Sequence, residues 1–187
     1  MDTEGAEPLP GTTLRKPRTF NMLLREAGID PCDVCLIRHA DKSAEKGRTP
    51  YDLWYNDRPQ FECYQSTQGI GKRAKLTAPY WAVFLGTPDS KTMFVGIYGV
   101  KYRGLLEQDT SMPHREGVDE AGSCDVFDLT LRPELNDQIG KLFVEWGTGA
   151  LAWIQYADRQ DKPIAELRKE PTAKQDAEDT DLDHSQG

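Results

Sequence analysis

The chain has 187 residues, of which 37% are hydrophobic and 9% aromatic. This size and composition are typical of one globular domain with a real core, and they exclude a fibrous or wholly disordered protein. Acidic residues outnumber basic ones by 31 to 23, but between Arg18 and Arg168 the counts are 22 and 19. Most of the excess negative charge therefore lies in the tails, and the totals exclude a large basic nucleic-acid surface.

The two ends of the chain differ in composition from the part between them. Residues 1–17 are rich in Gly, Pro and Thr, and acids precede any base, which is typical of neither a signal peptide nor a membrane anchor. Residues 169–187 are polar and acidic without apolar periodicity. We therefore predict disordered tails at 1–17 and 169–187, a single folded domain at 18–168, a cytoplasmic location and no membrane partner.

Three helices are predicted in the first third of this domain, and a short helical piece is predicted around Pro133 to Ile139. The segment 19–29 begins with a capping threonine, carries an apolar face and ends at a glycine. The pair Thr49-Pro50 is typical of a helix start, with threonine at the cap and proline in the first turn. Arg58-Pro59 then breaks the chain before a third helix over 59–68.

Six strands are predicted from apolar runs between turn residues, at 33–40, 79–86, 91–103, 124–131, 141–147 and 150–159. The second and third flank Thr87-Pro88-Asp89-Ser90, which is typical of a hairpin turn, and 104–123 is predicted to be a long loop. The helices are concentrated before this hairpin. The pattern predicts an α+β fold, a small curved mixed sheet or partly open β-barrel of about six strands with helices packed mainly from the N-terminal part.

Cysteine spacing does not predict a metal site. Cys32 and Cys35 form one C-x-x-C pair, but Cys63 and Cys124 are single and lie in apolar or aromatic surroundings. Structural zinc sites usually pair two such C-x-x-C segments. We therefore expect buried free thiols, and neither a metal ion nor another cofactor.

The sequence contains no complete catalytic motif. Gly96-Ile97-Tyr98 matches the first half of a GIY-YIG nuclease signature, but the second strand, the arginine and the metal-binding glutamate do not follow. We interpret this run as a hairpin strand in which glycine marks a bulge or a close backbone approach. His39, beside Arg38 and Asp41, is interpreted as a solvated strand end. No residue is therefore predicted to be catalytic.

Two polar segments are better candidates for binding. From Arg48 to Gln68, five aromatic residues alternate with amides and hydroxyls, a combination typical of a pocket that stacks a planar ligand and hydrogen-bonds its edge. Leu53 and Phe61 in this segment are assigned to the core. From Trp153 to Ile164, a strand runs into a dense polar cluster, which is either a salt-bridged exit turn stopped by Pro163 or a surface that contacts base edges.

The candidate nucleic-acid-binding residues come from these segments, the basic loop between them and the strand after that loop. Stacking on a base is assigned to Trp54, Tyr64 and Trp81. Edge contacts are assigned to Gln65, Ser66, Gln68, Asp158 and Gln160, with Arg159 in the same polar cluster, and phosphate contacts to Arg48, Lys72 and Arg73. Replacing Trp54 or Trp81 by alanine is expected to abolish binding and to leave the fold intact.

Four segments taken together resemble a known domain: FNMLLREAGIDPCDVCLIRHAD, RTPYDLWYNDRPQFECYQSTQ, PYWAVFLGTPDSKTMFVGIY and WIQYADRQDKPIAELR. In this order, from about Phe20 to Arg168, they are similar to the N-terminal domain that precedes the nuclease domain in bacterial GIY-YIG family proteins. The resemblance implies a PUA-like β-barrel, similar to the EVE and ASCH modules that bind RNA or modified DNA bases. It also implies target recognition in a restriction or defence system, with cleavage by a partner or fused nuclease. Only the acidic tail follows Arg168 here, so we expect no cleavage by this chain alone.

Three functions are compatible with these patterns. The first is recognition of nucleic acid, DNA or RNA, with a modified or extruded base in DNA as the preferred target and no catalytic activity. The second is an enzyme acting on a nucleoside-like molecule in the same pocket, with Asp158 or Asp161 as acid or base. The third is a regulatory protein whose acidic tail docks a basic partner or mimics nucleic acid.

Deleting residues 170–187 distinguishes the first function from the third. A protein that binds DNA through its domain should keep or gain affinity, because the acidic segment repels phosphate. A protein that acts through the tail should lose its partner. Fluorescence anisotropy with labelled DNA, on the full-length and shortened chains, measures the difference. Loss of DNA binding on deletion would contradict recognition by the domain.

Overall fold

The computed structural model describes residues 18–40, 47–69, 77–107, 123–146 and 153–167. The two predicted tails lie outside these ranges, as do most of the predicted long loop and the phosphate-contact candidates Lys72 and Arg73. None of the helices within these ranges is long and apolar enough to cross a membrane.

Three α-helices occupy the N-terminal part of the described chain, as predicted. α1 spans Phe20–Glu26, α2 spans Pro50–Asn56 and α3 spans Arg58–Ser66. The start of α2 is a capping box, in which the Thr49 side chain accepts from the Asp52 amide and the Asp52 carboxylate accepts from the Thr49 amide. This reciprocal pair satisfies two backbone donors that the helix itself cannot use.

Eight strands within the described residues form one sheet: β1 (Val34–His39), β2 (Thr67–Gly69), β3 (Tyr80–Gly86), β4 (Thr92–Glu107), β5 (Ser123–Leu131), β6 (Leu142–Val144), β7 (Trp153–Tyr156) and β8 (Ile164–Leu167). The sequence predicts six of them. It assigns β2 to the end of the third helix, which is wrong, and it does not predict β8. β4 also continues to Glu107, into the predicted loop.

The sheet is mixed and strongly curled. Its main path runs β2-β5-β4-β3-β1-β7, and β6 pairs with β4 while β8 pairs with β6. β1 and β3 are parallel, and the other strand pairs are antiparallel. A small curved mixed sheet with helices from the N-terminal part confirms the predicted α+β class.

Side chains of β1, which lies next to the end strand β7, alternate between two apolar clusters. Val34 and Leu36 pack with α1 in one cluster, whereas Cys35 and Ile37 pack with α2 and α3 in the other. Because strand side chains alternate in direction, the two clusters lie on opposite sides of the sheet. We call these sides the α1 face and the α3 face.

Two β-bulges bend the long strand β4, and a glycine lies at each. The register with β3 shifts near Gly96, and the register with β5 shifts at Gly104. Their φ angles are +145° and +140°, conformations that L side chains rarely adopt. A Cβ on Gly96 would lie 2.7 Å from Leu131 Cδ1 and 3.2 Å from Tyr98 Cε2. The glycine of the GIY run therefore marks both a bulge and a close approach, as predicted.

Gly96→Ala is expected to destabilise the protein more than the matched change Gly104→Ala. Both force alanine into a positive-φ conformation, at a cost of about 1–3 kcal/mol. At Gly104 the new methyl meets nothing within 4 Å, but at Gly96 it meets the buried ring of Tyr98. We therefore expect about 1 kcal/mol more destabilisation at Gly96. Urea denaturation followed by tryptophan fluorescence measures both; equal losses would contradict a tight contact with Tyr98.

Candidate functional site

Five of the predicted binding residues come together around α3. Trp54 of α2, Tyr64 of α3 and Trp81 of β3 share the cluster on the α3 face and are 8%, 7% and 1% exposed. Gln65 of α3 and Gln68 of β2 are 0% and 1% exposed. These aromatic and amide side chains are therefore parts of the interior rather than of an open surface. Leu53 and Phe61, assigned to the core from the sequence, are confirmed as fully buried.

The faces of the predicted stacking rings already contact protein groups. Trp81 packs against Phe127, with ring centroids 4.8 Å apart. The guanidinium of Arg58 lies over the Trp54 ring, 4.3 Å from its centroid. An incoming base would have to displace such a group before it could stack. A ligand in this region is therefore more easily accommodated through hydrogen bonds than through stacking on the ring faces.

His39 is only 1% exposed, so its predicted position at a solvated strand end is wrong. Its ring centroid lies 5.1 Å from that of Tyr64 and 6.2 Å from that of Phe61, both on α3. The polar neighbours in sequence suggest exposure, but alternation along β1 turns His39 to the same side as Cys35 and Ile37. The local sequence does not show that α3 covers this end of β1.

Two glutamine side chains are oriented by oxygen atoms that can only accept hydrogen bonds. Gln65 Nε2 donates to Glu62 Oε2, and Gln68 Nε2 donates to the backbone oxygen of Gln65 at 2.8 Å. Each amide must present its NH2 group there and turn its Oε1 in another direction. Both Oε1 atoms are buried, and neither has a hydrogen-bond partner among the described residues.

Tyr98 holds the carboxylate that orients Gln65. Its hydroxyl donates to Glu62 Oε1 at 3.2 Å. Burial, together with the negative charge of Glu62, raises the pKa of Tyr98, so the phenol keeps its proton at neutral pH. Neither residue is among the candidates predicted from the sequence. The spacing of three residues before Gln65 on a helix is a signal for Glu62, whereas the pattern around Tyr98 predicts only an ordinary hairpin strand.

Two indole N–H groups on the α3 face complete the set. Trp54 Nε1 and Trp81 Nε1 are buried, and within the described ranges neither finds an acceptor. A buried polar atom without a partner costs about 1–3 kcal/mol, so such atoms usually meet a water or a ligand. Two acceptors and two donors without described partners are therefore buried in this region of the fold.

Two further predicted residues have protein partners at the edge of α3. Ser66 Oγ donates to the backbone oxygen of Cys63 at 2.9 Å. Arg48 Nη1 lies 3.1 Å from Asp57 Oδ2, and Asp57 is also the N-cap of α3. Both side chains of this ion pair are about two-fifths exposed, so the pair contributes little to stability and leaves Arg48 accessible.

The second polar segment is docked against α1. Asp158 and Arg159 are exposed in a 3-10 turn, and Gln160 follows it, with its Oε1 accepting from Lys162 Nζ at 3.0 Å. Asn21 of α1 donates to the Ala157 oxygen at 2.6 Å, and its backbone amide donates to Asp161 Oδ1 at 3.0 Å. Ala157 belongs to the cluster on the α1 face. The structure therefore separates this segment from Gln65 and Gln68.

The four cysteines, all within the described ranges, are thiols rather than disulfides. Cys35 and Cys124 are buried as predicted, whereas Cys32 is exposed and Cys63 is partly buried. Burial raises the pKa of the Cys35 thiol to about 12, which keeps it protonated and unreactive. Among the residues that the structure describes, no group of three or more His, Cys, Asp or Glu side chains could hold a metal ion.

Comparisons with known proteins do not identify a family. No family model matches the chain, and no curated protein or solved structure matches it either. The resemblance to the domain that precedes GIY-YIG nucleases therefore stays a prediction from the sequence. Function has to be inferred from the residues of this chain.

Trp81→Ala is expected to destabilise the protein by about 3–5 kcal/mol, because it removes a fully packed indole. This replaces the expectation that the change leaves the fold intact. Trp81→Phe keeps an aromatic ring and removes the N–H, and should cost about 1 kcal/mol. Tyr55→Ala is a control, since Tyr55 is 59% exposed and its loss should cost less than about 1 kcal/mol. Chemical denaturation measures all three; an unaltered Trp81→Ala variant would contradict the packing.

Proposed function

We propose that the chain is a nucleic-acid recognition module that binds one extruded base of DNA on the α3 face and has no catalytic activity of its own. The observation that carries this proposal is a set of oriented, buried groups without partners in the described structure. These groups are the Oε1 atoms of Gln65 and Gln68 and the indole N–H groups of Trp54 and Trp81.

The hydrogen-bonding capacity of these groups fits the edge of a nucleobase. A base edge offers N–H donors from amino or ring nitrogens, which the two glutamine oxygens can accept. It also offers carbonyl or ring-nitrogen acceptors, to which the two indoles can donate. Flipping a base out of a duplex costs a few kcal/mol. Satisfying several buried groups, each at about 1–3 kcal/mol, is enough to offset that cost.

The surroundings of these groups also suit a planar base that is attached to a phosphate backbone. Tyr64 and Phe127 belong to the apolar cluster of the α3 face, where their rings pack against His39 and Trp81. The guanidinium of the exposed Arg58 lies over the Trp54 ring, and Arg48 forms an ion pair with Asp57. These cations are available to contact a phosphate of the same strand. This local arrangement does not require a basic domain overall.

The biological setting of the proposal comes from the sequence resemblance. The four segments similar to the domain that precedes GIY-YIG nucleases support a role in a restriction or defence system. A modified base is then the natural target, and a separate nuclease is the proposed partner. Both parts of this setting depend on the resemblance, whereas the base-binding site depends on the geometry of α3.

Gln65→Met and Gln68→Met test the site, because each keeps the length of the side chain and removes the amide oxygen. We expect each to weaken binding to a labelled duplex carrying one mismatched or 5-hydroxymethylated cytosine at least tenfold, about 1.4 kcal/mol. The wild type should bind this duplex more tightly than a fully paired unmodified one, since flipping is then easier. Fluorescence anisotropy gives the affinities, and thermal melting confirms that each variant is folded.

Gln160→Met is the matched control, because Gln160 is a predicted candidate that the structure places with Lys162 instead. It should change affinity less than twofold. An equal loss at Gln160 and Gln68 would contradict a site on the α3 face. Absence of binding to every duplex, together with turnover of a free nucleoside, would overturn the proposal in favour of an enzyme.

A further inference from the structure

A cleft of about 360 Å³ lies where the end of β1 and the start of β4 meet β6. Its polar side consists of Arg38, Ser90, Lys91 and Thr92, and its apolar side includes Phe143 and Trp146. It shares no lining residue with the groups assigned to base binding. The cleft is therefore a separate place in the fold and has no part in the proposed function.

The cationic groups of this cleft are held in position by the sheet and the hairpin turn. Arg38 Nε donates to Thr92 Oγ1 at 3.2 Å, across the intervening strand β3, which fixes the plane of the guanidinium. Lys91 follows the β3–β4 turn, and its amide donates to Thr87 Oγ1 at 3.1 Å. The Lys91 side chain is 43% exposed, so its ammonium can reach a bound group.

The charge balance at the cleft favours an anion, although the whole chain has a net charge of -8. Arg38 and Lys91 line it with one acidic residue, Glu145. The lining residues therefore contain one more cation than acids, and Asp89, outside the lining, lies 3.4 Å from Lys91 Nζ. The guanidinium can also donate a charge-assisted hydrogen bond to an oxygen atom of the anion.

The apolar side of the cleft can hold the body of a small ligand. Phe143 and Val144 of β6 and Ala165 of β8 line it, and Trp146 packs on Phe84 with ring centroids 5.2 Å apart. A volume of about 360 Å³ is near the lower limit for small-molecule sites, roughly 300–1,000 Å³. This space suits one ring system with one attached anionic group rather than a larger cofactor.

We propose that this cleft binds a phosphate monoester of a planar ring, of the class of a nucleoside monophosphate. Arg38 and Lys91 contact the phosphate, whose charge at neutral pH is about -1.5 to -2. Ser90 and Thr92 contribute hydroxyl groups, and the ring lies against Phe143. The free nucleotide and the 5′-phosphorylated end of a strand share this chemistry. The proposal is independent of base binding on the α3 face.

Isothermal titration calorimetry with AMP, adenosine and inorganic phosphate tests the site on the full chain. AMP should bind at least tenfold more tightly than either adenosine or phosphate, because the cleft uses both parts of the molecule. Absence of AMP binding at millimolar concentrations, or equal binding of AMP and phosphate, would overturn the proposal. A 5′-phosphorylated dinucleotide identifies the source: tighter binding than AMP indicates a strand end, and weaker binding indicates the free nucleotide.

Lys91→Glu should weaken AMP binding at least tenfold. The matched control is Lys101→Glu, an identical charge change at an exposed lysine of β4 that lines a different groove. This control should alter the affinity less than twofold, and equal losses would overturn the proposal as a nonspecific charge effect. Binding of the mismatched duplex by Gln68→Met reports on the α3 face, and binding of AMP by Lys91→Glu reports on this cleft, so failure of either proposal is distinguishable from failure of the other.

Discussion

The fold depends on the burial of both faces of β1 between β3 and β7. A strand covered on both sides needs apolar groups at every position, and Val34, Cys35, Leu36 and Ile37 supply them. Each face then needs its own helical cover, which α1 provides on one side and α2 with α3 on the other. The two polar segments of the chain are divided in the same way. The residues after β7 hold the start of α1, whereas Gln65 donates to Glu62, which also accepts from Tyr98 of the cluster on the α3 face.

The sequence predicts well those features that depend on neighbouring residues. The helix starts follow from Thr19 and Thr49, whose side chains cap amides only three residues away. The β3–β4 hairpin follows from the turn residues between its strands. The failures concern features that depend on remote partners. β2 exists because Thr67 and Gln68 pair with Val126 and Asp125 of β5, and β8 exists because it pairs with β6. The local sequence pattern is helical at β2 and is dominated by a proline at β8. Pairing with a strand that is distant in sequence outweighs the local preference at both places.

The candidate site shows the same difference between features that depend on neighbouring residues and features that depend on remote ones. The aromatic and amide composition of residues 48–68 directs attention to Gln65 and Gln68, because their side chains are local features of the chain. Their burial, and the direction of their Oε1 atoms, depend on Glu62 and on Tyr98, which lies 36 residues away from Glu62. The predicted stacking rings are likewise packed by residues such as Phe127, which no local pattern connects with Trp81. Four unpartnered groups at about 1–3 kcal/mol each are a large fraction of the roughly 5–15 kcal/mol that stabilises an average protein. Retention of such groups is easier to explain by a ligand or ordered water than by stability.

The bulge at Gly96 connects the backbone of the sheet with this site. Val95 faces the α3 cluster, so regular alternation would turn residue 97 to the same side and residue 98 to the α1 face. The structure shows the reverse, with Ile97 in the α1-face cluster and Tyr98 in the α3-face cluster, because the bulge inserts one extra residue into β4. Tyr98 can therefore reach Glu62, and Glu62 in turn orients Gln65. Gly96, the first residue of the run that matches half of a nuclease signature, thus has a physical role of its own. The bulge at Gly96 exchanges the sides to which Ile97 and Tyr98 point, so that Tyr98 enters the cluster on the α3 face.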